Sequence, residues 1–311
     1  MPKDTLLIVE DAPDIQTLLK IYFSSQGYEV YAAGRGSEAL ELVRKQLPNL
    51  VLLDVNLPDM LGYDIGKAIR ANARTRHIPI IFLTARTEKQ DMLIGLGEVE
   101  AEAYIAKPFD IELLHLEVRN TLKRARQKNQ THPVTNLPTA EAVGEQLRGL
   151  LTRKGWTLSL MRIEQFDAFT QVYGGVSGEE VLKFMALLLN DIVGEVGRAE
   201  DFTGQMATGP EFILVSNPEC SRTIAQRLTD RFDAEISLHY NYRDRKNGAM
   251  KMLDADGNEQ HVPLMALAIG LLDESNGPFY DIRELTESAE AVRQSARAQI
   301  SATGKSATII A

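Results

Sequence analysis

Glu10, Asp11, Asp54, Thr84 and Lys107 each stand at the end of a short aliphatic run in the first 110 residues of the chain. Carboxylates that converge from such positions make a hard oxygen set suited to Mg²⁺, and the backbone carbonyl of Asn56, two residues beyond Asp54, can add another ligand. An aspartate beside that cation can take up a phosphoryl group, because phosphoryl transfer depends on positioning and on neutralising the oxygens. Lys107 can meet those oxygens as a point charge, and Thr84 offers them a hydroxyl. Any one of these residues alone reads as a solvated loop residue. Together they predict a site that can hold a hard cation and take up a phosphoryl group on one of its aspartates.

The elements that must carry these residues follow from the apolar pattern. Runs at residues 6–9, 29–32, 50–53, 78–84 and 103–106 are apolar on both faces and separated by amphipathic stretches, which predicts five parallel strands covered by helices on both sides. In such a doubly wound α/β domain the ligand site lies at the carboxyl ends of the strands, where the five polar residues fall. Residues 111–127 read as a helix whose apolar row is Ile111, Leu114, Val118 and Leu122, a row that serves as its inward face or as a dimer contact. The basic run Lys123, Arg124, Arg126 and Lys128 fits a solvated helix end. A second α/β pattern begins at Pro133, with strands expected at 157–163, 212–216, 235–242 and 264–271, and helices at 139–153, 178–196 and 221–232. The expected division is a domain at 1–124, a helical extension and linker at 125–132, and a second domain at 133–311.

Composition narrows the function classes. The chain has 311 residues and a net charge of −9; residues 1–130 hold 17 Lys and Arg against 18 Asp and Glu, whereas residues 131–311 hold 17 against 25. The acidic second half repels a phosphate backbone, so no nucleic-acid partner is expected. A single cysteine, Cys220, excludes an internal disulfide framework, and the five histidines are scattered. The apolar run at 6–9 is too short for a signal peptide, and no stretch reaches the roughly 20 residues of a membrane span. A cytoplasmic protein without a membrane partner is the expectation. Two decoys are set aside: Gly304-Lys305-Ser306 lacks the first glycine of a phosphate-binding loop, and residues 254–257 lack the flanking acids of a calcium loop.

The spaced elements Glu10-Asp11, Val51-Leu52-Leu53-Asp54, Leu57-Pro58-Asp59, Leu83-Thr84-Ala85 and Lys107-Pro108-Phe109 resemble the receiver domain of two-component response regulators, over residues 3–125. The resemblance implies a flavodoxin-like fold, Asp54 as phosphoacceptor and Mg²⁺ held by Asp11 and Asp54, with Glu10 acting partly through water. It implies a switch formed by Thr84 and Tyr104, access to the aspartyl oxygen past the small Ala85, and a cis peptide at Lys107-Pro108. The implied partner is a sensor histidine kinase or phosphotransfer protein. Glu100 stands where these domains carry glycine, which leaves the shape of that loop open.

Residues 133–138 (Pro-Val-Thr-Asn-Leu-Pro), Arg162-Ile163-Glu164-Gln165-Phe166, Tyr173-Gly174, Gly178-Glu179 and Thr208-Gly209-Pro210-Glu211-Phe212 resemble a worn GGDEF domain, the diguanylate cyclase fold, with a mainly antiparallel sheet. That chemistry needs carboxylates to hold metal against GTP. Arg162 occupies one metal-ligand position and Pro210 the other, leaving Glu211; Thr170 and Glu179 replace the guanine-reading pair, Gln205 or Met206 falls where an arginine precedes the signature, and Arg297 replaces a helical lysine. Arg198-Ala199-Glu200-Asp201 has the form of the family's product-binding clamp, one residue out of register, and also reads as a surface pair. Where the second domain takes a nucleotide, the contacts would fall on Arg162, Arg198, Asp201 and Glu211. The expectation is a response regulator whose second domain has no cyclase activity and acts by binding a downstream protein, by homodimerisation, or by sensing cyclic di-GMP or GTP. The alternatives are a phosphorylation-regulated diguanylate cyclase and a cyclic di-GMP receptor.

Overall fold

The computed structural model describes residues 4–84, 99–129, 131–206, 209–253 and 258–311, and the chain divides into two compact units, Met1–Asn136 and Leu137–Ala311. In the first unit, strands β1 (Thr5–Val9), β2 (Glu29–Ala33), β3 (Leu50–Asp54), β4 (Ile80–Thr84) and β5 (Ala103–Ala106) form one sheet in the order β2-β1-β3-β4-β5. All four pairings are parallel. Helices α1 (Pro13–Ser25), α2 (Gly36–Gln46), α3 (Gly62–Ala71) and α4 (Ile111–Asn129) are described beside it.

Alternation along the strands divides the core. Leu6, Ile8, Leu50, Leu52, Ile81 and Leu83 pack with Leu19 and Phe23 of α1 and with Leu114, Val118 and Leu122 of α4. The intervening Leu7, Val9, Val51, Leu53, Ile80 and Phe82 pack with Val43 of α2 and with Ile65 and Ile69 of α3. Each such burial contributes roughly 1.5–3 kcal/mol, so a strand apolar on both faces is held from both sides. The apolar row of α4 is thereby its inward face, not a dimer contact.

Two left-handed residues mark loops that only packing explains. Glu100 has φ 51°, the backbone that favours glycine, so the loop keeps the glycine shape with a glutamate in it. Arg70 supports it by donating to the carbonyls of Val99 at 2.8 Å and Glu100 at 3.3 Å, and to Ile78 at 2.7 Å. Asn136 has φ 57°, and its side-chain amide donates to the carbonyls of Leu47 at 3.3 Å and Pro48 at 3.0 Å. Its own carbonyl meets the His77 ring at 2.9 Å. The segment expected to open the second domain at Pro133 thus closes the first unit instead, because these bonds tie it to the amino-terminal side of the sheet.

The second unit is built on a sheet ordered β12-β11-β6-β8-β7, from β6 (Thr157–Glu164), β7 (Phe202–Gln205), β8 (Glu211–Ser216), β11 (Ala266–Asp273) and β12 (Ala307–Ile310). Its pairs are antiparallel except β11 with β12, making a mixed sheet. Leu158, Ile213 and Val215 pack under α5 (Ala140–Leu150) and α10 (Ile282–Thr303). Helices α6 (Phe166–Tyr173), α7 (Gly175–Val196) and α8 (Pro218–Glu235) complete the layers. The expected strand at 235–242 is not one. Phe232, Ile236 and Tyr240 are buried at a spacing of four, a helical repeat, and the segment continues α8 into a 3₁₀ turn, Ile236–His239, and then α9 (Tyr242–Asn247). A two-stranded ribbon follows, β9 (Ala249–Leu253) with β10 (Glu259–Pro263); residues 254–257, set aside above as a calcium loop, lie outside the described residues. The tail after Gly304 supplies β12, whose pairing with β11 no local signal announces. Among the described residues, no helix is long and apolar enough to cross a membrane.

His77 generates a pH prediction. Burial, opposed by the bond to Asn136, lowers its pKa from the ordinary 6.5 to about 4. Neutral His77 therefore contributes stability that is complete above pH 6.5 and is lost as pH falls towards 4, since the unfolded chain binds the proton first. Discounted for the partial exposure of the residue, the loss is on the order of 2 kcal/mol. Denaturant titrations of the first unit at pH 7 and 4.5 should show wild type losing that much more stability than His77→Gln. Equal losses would remove His77 as the cause.

Candidate functional site

Parallel pairing brings the carboxyl ends of β1, β3, β4 and β5 to one edge, and with them the polar residues predicted from sequence. The carboxylates of Glu10, Asp11 and Asp54 lie within 4.8 Å of one another; Glu10 and Asp54 are buried and Asp11 is exposed. Lys107 reaches across from the end of β5, with Nζ 2.5 Å from Glu10 Oε2 and 2.8 Å from Asp54 Oδ2. The Lys107–Pro108 peptide is cis. Asn56 donates its backbone N–H to Asp54 Oδ1 at 3.2 Å and is itself exposed.

Burial pushes the Glu10 carboxyl up; the Lys107 bond opposes this and the charge of Asp54 adds to it. For Lys107 burial works downward, but the bonds to Asp54 and Glu10 outweigh it and hold the ammonium above its ordinary value. Among the described residues the site has one fixed cation, Lys107, against three crowded carboxylates, a charge imbalance and an oxygen set that fit a divalent ion. Glu10, Asp11, Asp54 and the Asn56 carbonyl are the groups that would hold it.

Thr84 ends β4, buried, and its carbonyl accepts the Lys107 N–H at 2.8 Å. The Tyr104 ring stacks on Phe82 with centroids 5.0 Å apart and its hydroxyl is buried. Ala85, expected to give access to the aspartyl oxygen, lies outside the described residues.

Sequence reasoning missed Gly62, the first residue of α3. A Cβ there would stand 2.2 Å from the Asp54 carbonyl oxygen and 3.0 Å from Val55 Cα, and the Gly62 N–H donates to the Val55 carbonyl at 2.8 Å. Only hydrogen fits where helix and strand end meet behind Asp54. A glycine at the start of a helix, where it has no propensity advantage, was the available signal.

In the second unit, four of the residues singled out from sequence, Arg162, Glu211, Arg198 and Arg297, form ion pairs. Arg162 on β6 is the direct cross-strand partner of Glu211 on β8, and their side chains meet at 2.6 Å; Asp167 lies 3.5 Å from the same guanidinium. A cleft of about 570 Å³ is lined by these residues with Glu164, Arg293 and Arg297. Arg293 pairs with Glu164 at 2.8 Å, both buried, and Arg297 lies 3.5 Å from Glu164. At the Arg198-x-x-Asp201 pair, buried Asp201 accepts the Arg198 backbone N–H at 2.7 Å and the guanidinium binds Glu219 at 2.6 Å. Thr208 lies outside the described residues.

The response regulator receiver domain family matches residues 6–119. The DNA-binding response regulator MtrA of Mycolicibacterium smegmatis is 35% identical over 165 residues, which are 53% of this chain and 68% of that protein. The transcriptional regulatory protein AfsQ1 of Streptomyces coelicolor is 38% identical over 125 residues, 40% of this chain and 54% of that one. Among solved structures, a response regulator of Chloroflexus aurantiacus is 38% identical, with a TM-score of 0.38, covering 39% of this chain and 99% of its own.

Gly62→Ala should reduce labelling of the protein by acetyl phosphate on the order of tenfold to hundredfold, although alanine favours a helix by about 1 kcal/mol. Phosphate-affinity gels would measure it. Unchanged labelling would show that the strand end tolerates the shift.

Proposed function

Because the chain belongs to the response regulators, we propose that it is a phosphorylation switch of a two-component system, with Asp54 as the phosphoacceptor. The observation that carries this is the convergence of Glu10, Asp11 and Asp54 with Lys107 bonded to Asp54 at 2.8 Å. An Asp54 carboxylate oxygen attacks phosphorus in a phosphohistidine of a sensor kinase or phosphotransfer protein. The P–O bond forms, the P–N bond breaks, and the departing imidazole nitrogen takes a proton from water. Bound Mg²⁺ would neutralise the phosphoryl oxygens. Lys107 passes from the carboxylate to the phosphoryl group, and Thr84 with Tyr104 registers the new charge. The site of action is the cytoplasm.

For the second unit we adopt a GGDEF-like output that is catalytically silent and works through a downstream protein or a second copy of the chain. Its support is chemical. Where the resemblance requires a metal-binding acid, Arg162 brings a cation that is already paired with Glu211, and Pro210 brings no ligand. The cleft is charge-paired internally, so neither GTP nor cyclic di-GMP is adopted as a ligand. The names of MtrA and AfsQ1 favour a second reading, a DNA-binding output. The excess of 25 acidic over 17 basic residues at 131–311 argues against it.

Acetyl phosphate with Mg²⁺ should label wild type and leave Asp54→Asn unlabelled; label retained by the variant would sink Asp54 as acceptor. With GTP and Mg²⁺ no cyclic di-GMP should form, and product that disappears in Glu211→Ala would overturn the silent reading. A salt-dependent shift of double-stranded DNA would favour the second reading.

A further inference from the structure

The segment 55–61 between β3 and α3 carries Asn56, and it is fastened at two places. At its base Asn56 bridges to Leu61, and Gly62 bonds to Val55. At its tip the Asp59 carboxylate accepts the Gly36 N–H at 2.8 Å and the Ser37 N–H at 3.0 Å, both at the start of α2. Met60 lies against Gly36 so closely that a Cβ on that glycine would meet Met60 Cγ at 2.4 Å. The start of α2 leads back to the other side of the site: α2 follows β2, whose last carbonyl, that of Ala33, accepts the Glu10 N–H at 3.0 Å. The residue before α2, Arg35, makes no side-chain cap of its own.

We infer that Asp59 is a positioning residue for the cation site, holding the Asn56 segment in register with the Glu10–Asp11 turn through the start of α2. The inference rests on the reading of Asp54 as a phosphoacceptor with a divalent ion beside it. Asp59 touches neither the ion's expected ligands nor the phosphoryl group; it sets the distance between two ligand-bearing segments. Outer residues of this kind typically alter metal affinity by about tenfold or more when removed.

The test uses the full chain and Mn²⁺ alone, titrated by the paramagnetic resonance signal of the free ion. Asp59→Ala should weaken Mn²⁺ roughly tenfold, and Asp59→Asn, which keeps one acceptor oxygen, should fall between. The Mg²⁺ needed for half-maximal acetyl-phosphate labelling should rise in the same order. A role confined to capping α2 is separated by adding Arg35→Ser to Asp59→Ala, which supplies a local cap without tying the segment. Restored Mn²⁺ affinity in that double variant would overturn the inference, as would an Asp59→Ala protein that binds Mn²⁺ like wild type. If wild type itself binds no Mn²⁺ and takes no label, the parent reading fails instead.

Discussion

The first unit depends on one electrostatic constraint: three carboxylates held within 4.8 Å need compensating charge. Lys107 supplies part of it from the far side of the sheet, and the bonds it makes to Glu10 and Asp54 join the ends of β1, β3 and β5. Among the described residues one cation stands against three anions, and that deficit fits a divalent ion. The architecture serves this arrangement. Parallel strands deliver their carboxyl ends to one edge, and helices on both faces hold them there.

The second unit meets the same difficulty with a different solution. Glu211 faces Arg162 across two antiparallel strands, and Glu164 faces Arg293 in the interior. Here the chain provides the cations. Breaking a buried pair such as Arg293 with Glu164 typically costs about 3–5 kcal/mol, because it strands a charge. A site whose carboxylates already have arginines offers an incoming metal little, whereas the undercompensated cluster of the first unit invites one.

Several elements were legible before any coordinates. The five strands of the first unit follow from runs apolar on both faces, and the observed spans differ from the expected ones by a residue or two at the ends. The row Leu114, Val118 and Leu122 was readable as one face of a helix, but which way it faced was not, since an inward stripe and a dimer stripe have the same spacing. Residues 235–242 misled because Ile236 and Tyr240 suit strands by type, and their burial at helical spacing became visible only in the packed unit. β12 escaped because its partner, β11, lies more than thirty positions away in the chain.

By itself the sequence determined the chemistry available: which side chains could take a phosphoryl group, hold a hard cation or fail to hold one. Residue type fixes charge and donor capacity wherever the chain puts them, so Asp54, Lys107, Arg162 and Pro210 spoke without coordinates. Tertiary structure alone decided the distances and the supports. Gly62 matters because the Asp54 carbonyl stands where its Cβ would be, Asp59 because the start of α2 lies opposite, and Asn136 because Leu47, Pro48 and His77 surround it. Each depends on contacts between segments remote in the chain, and such contacts leave no trace in local spacing.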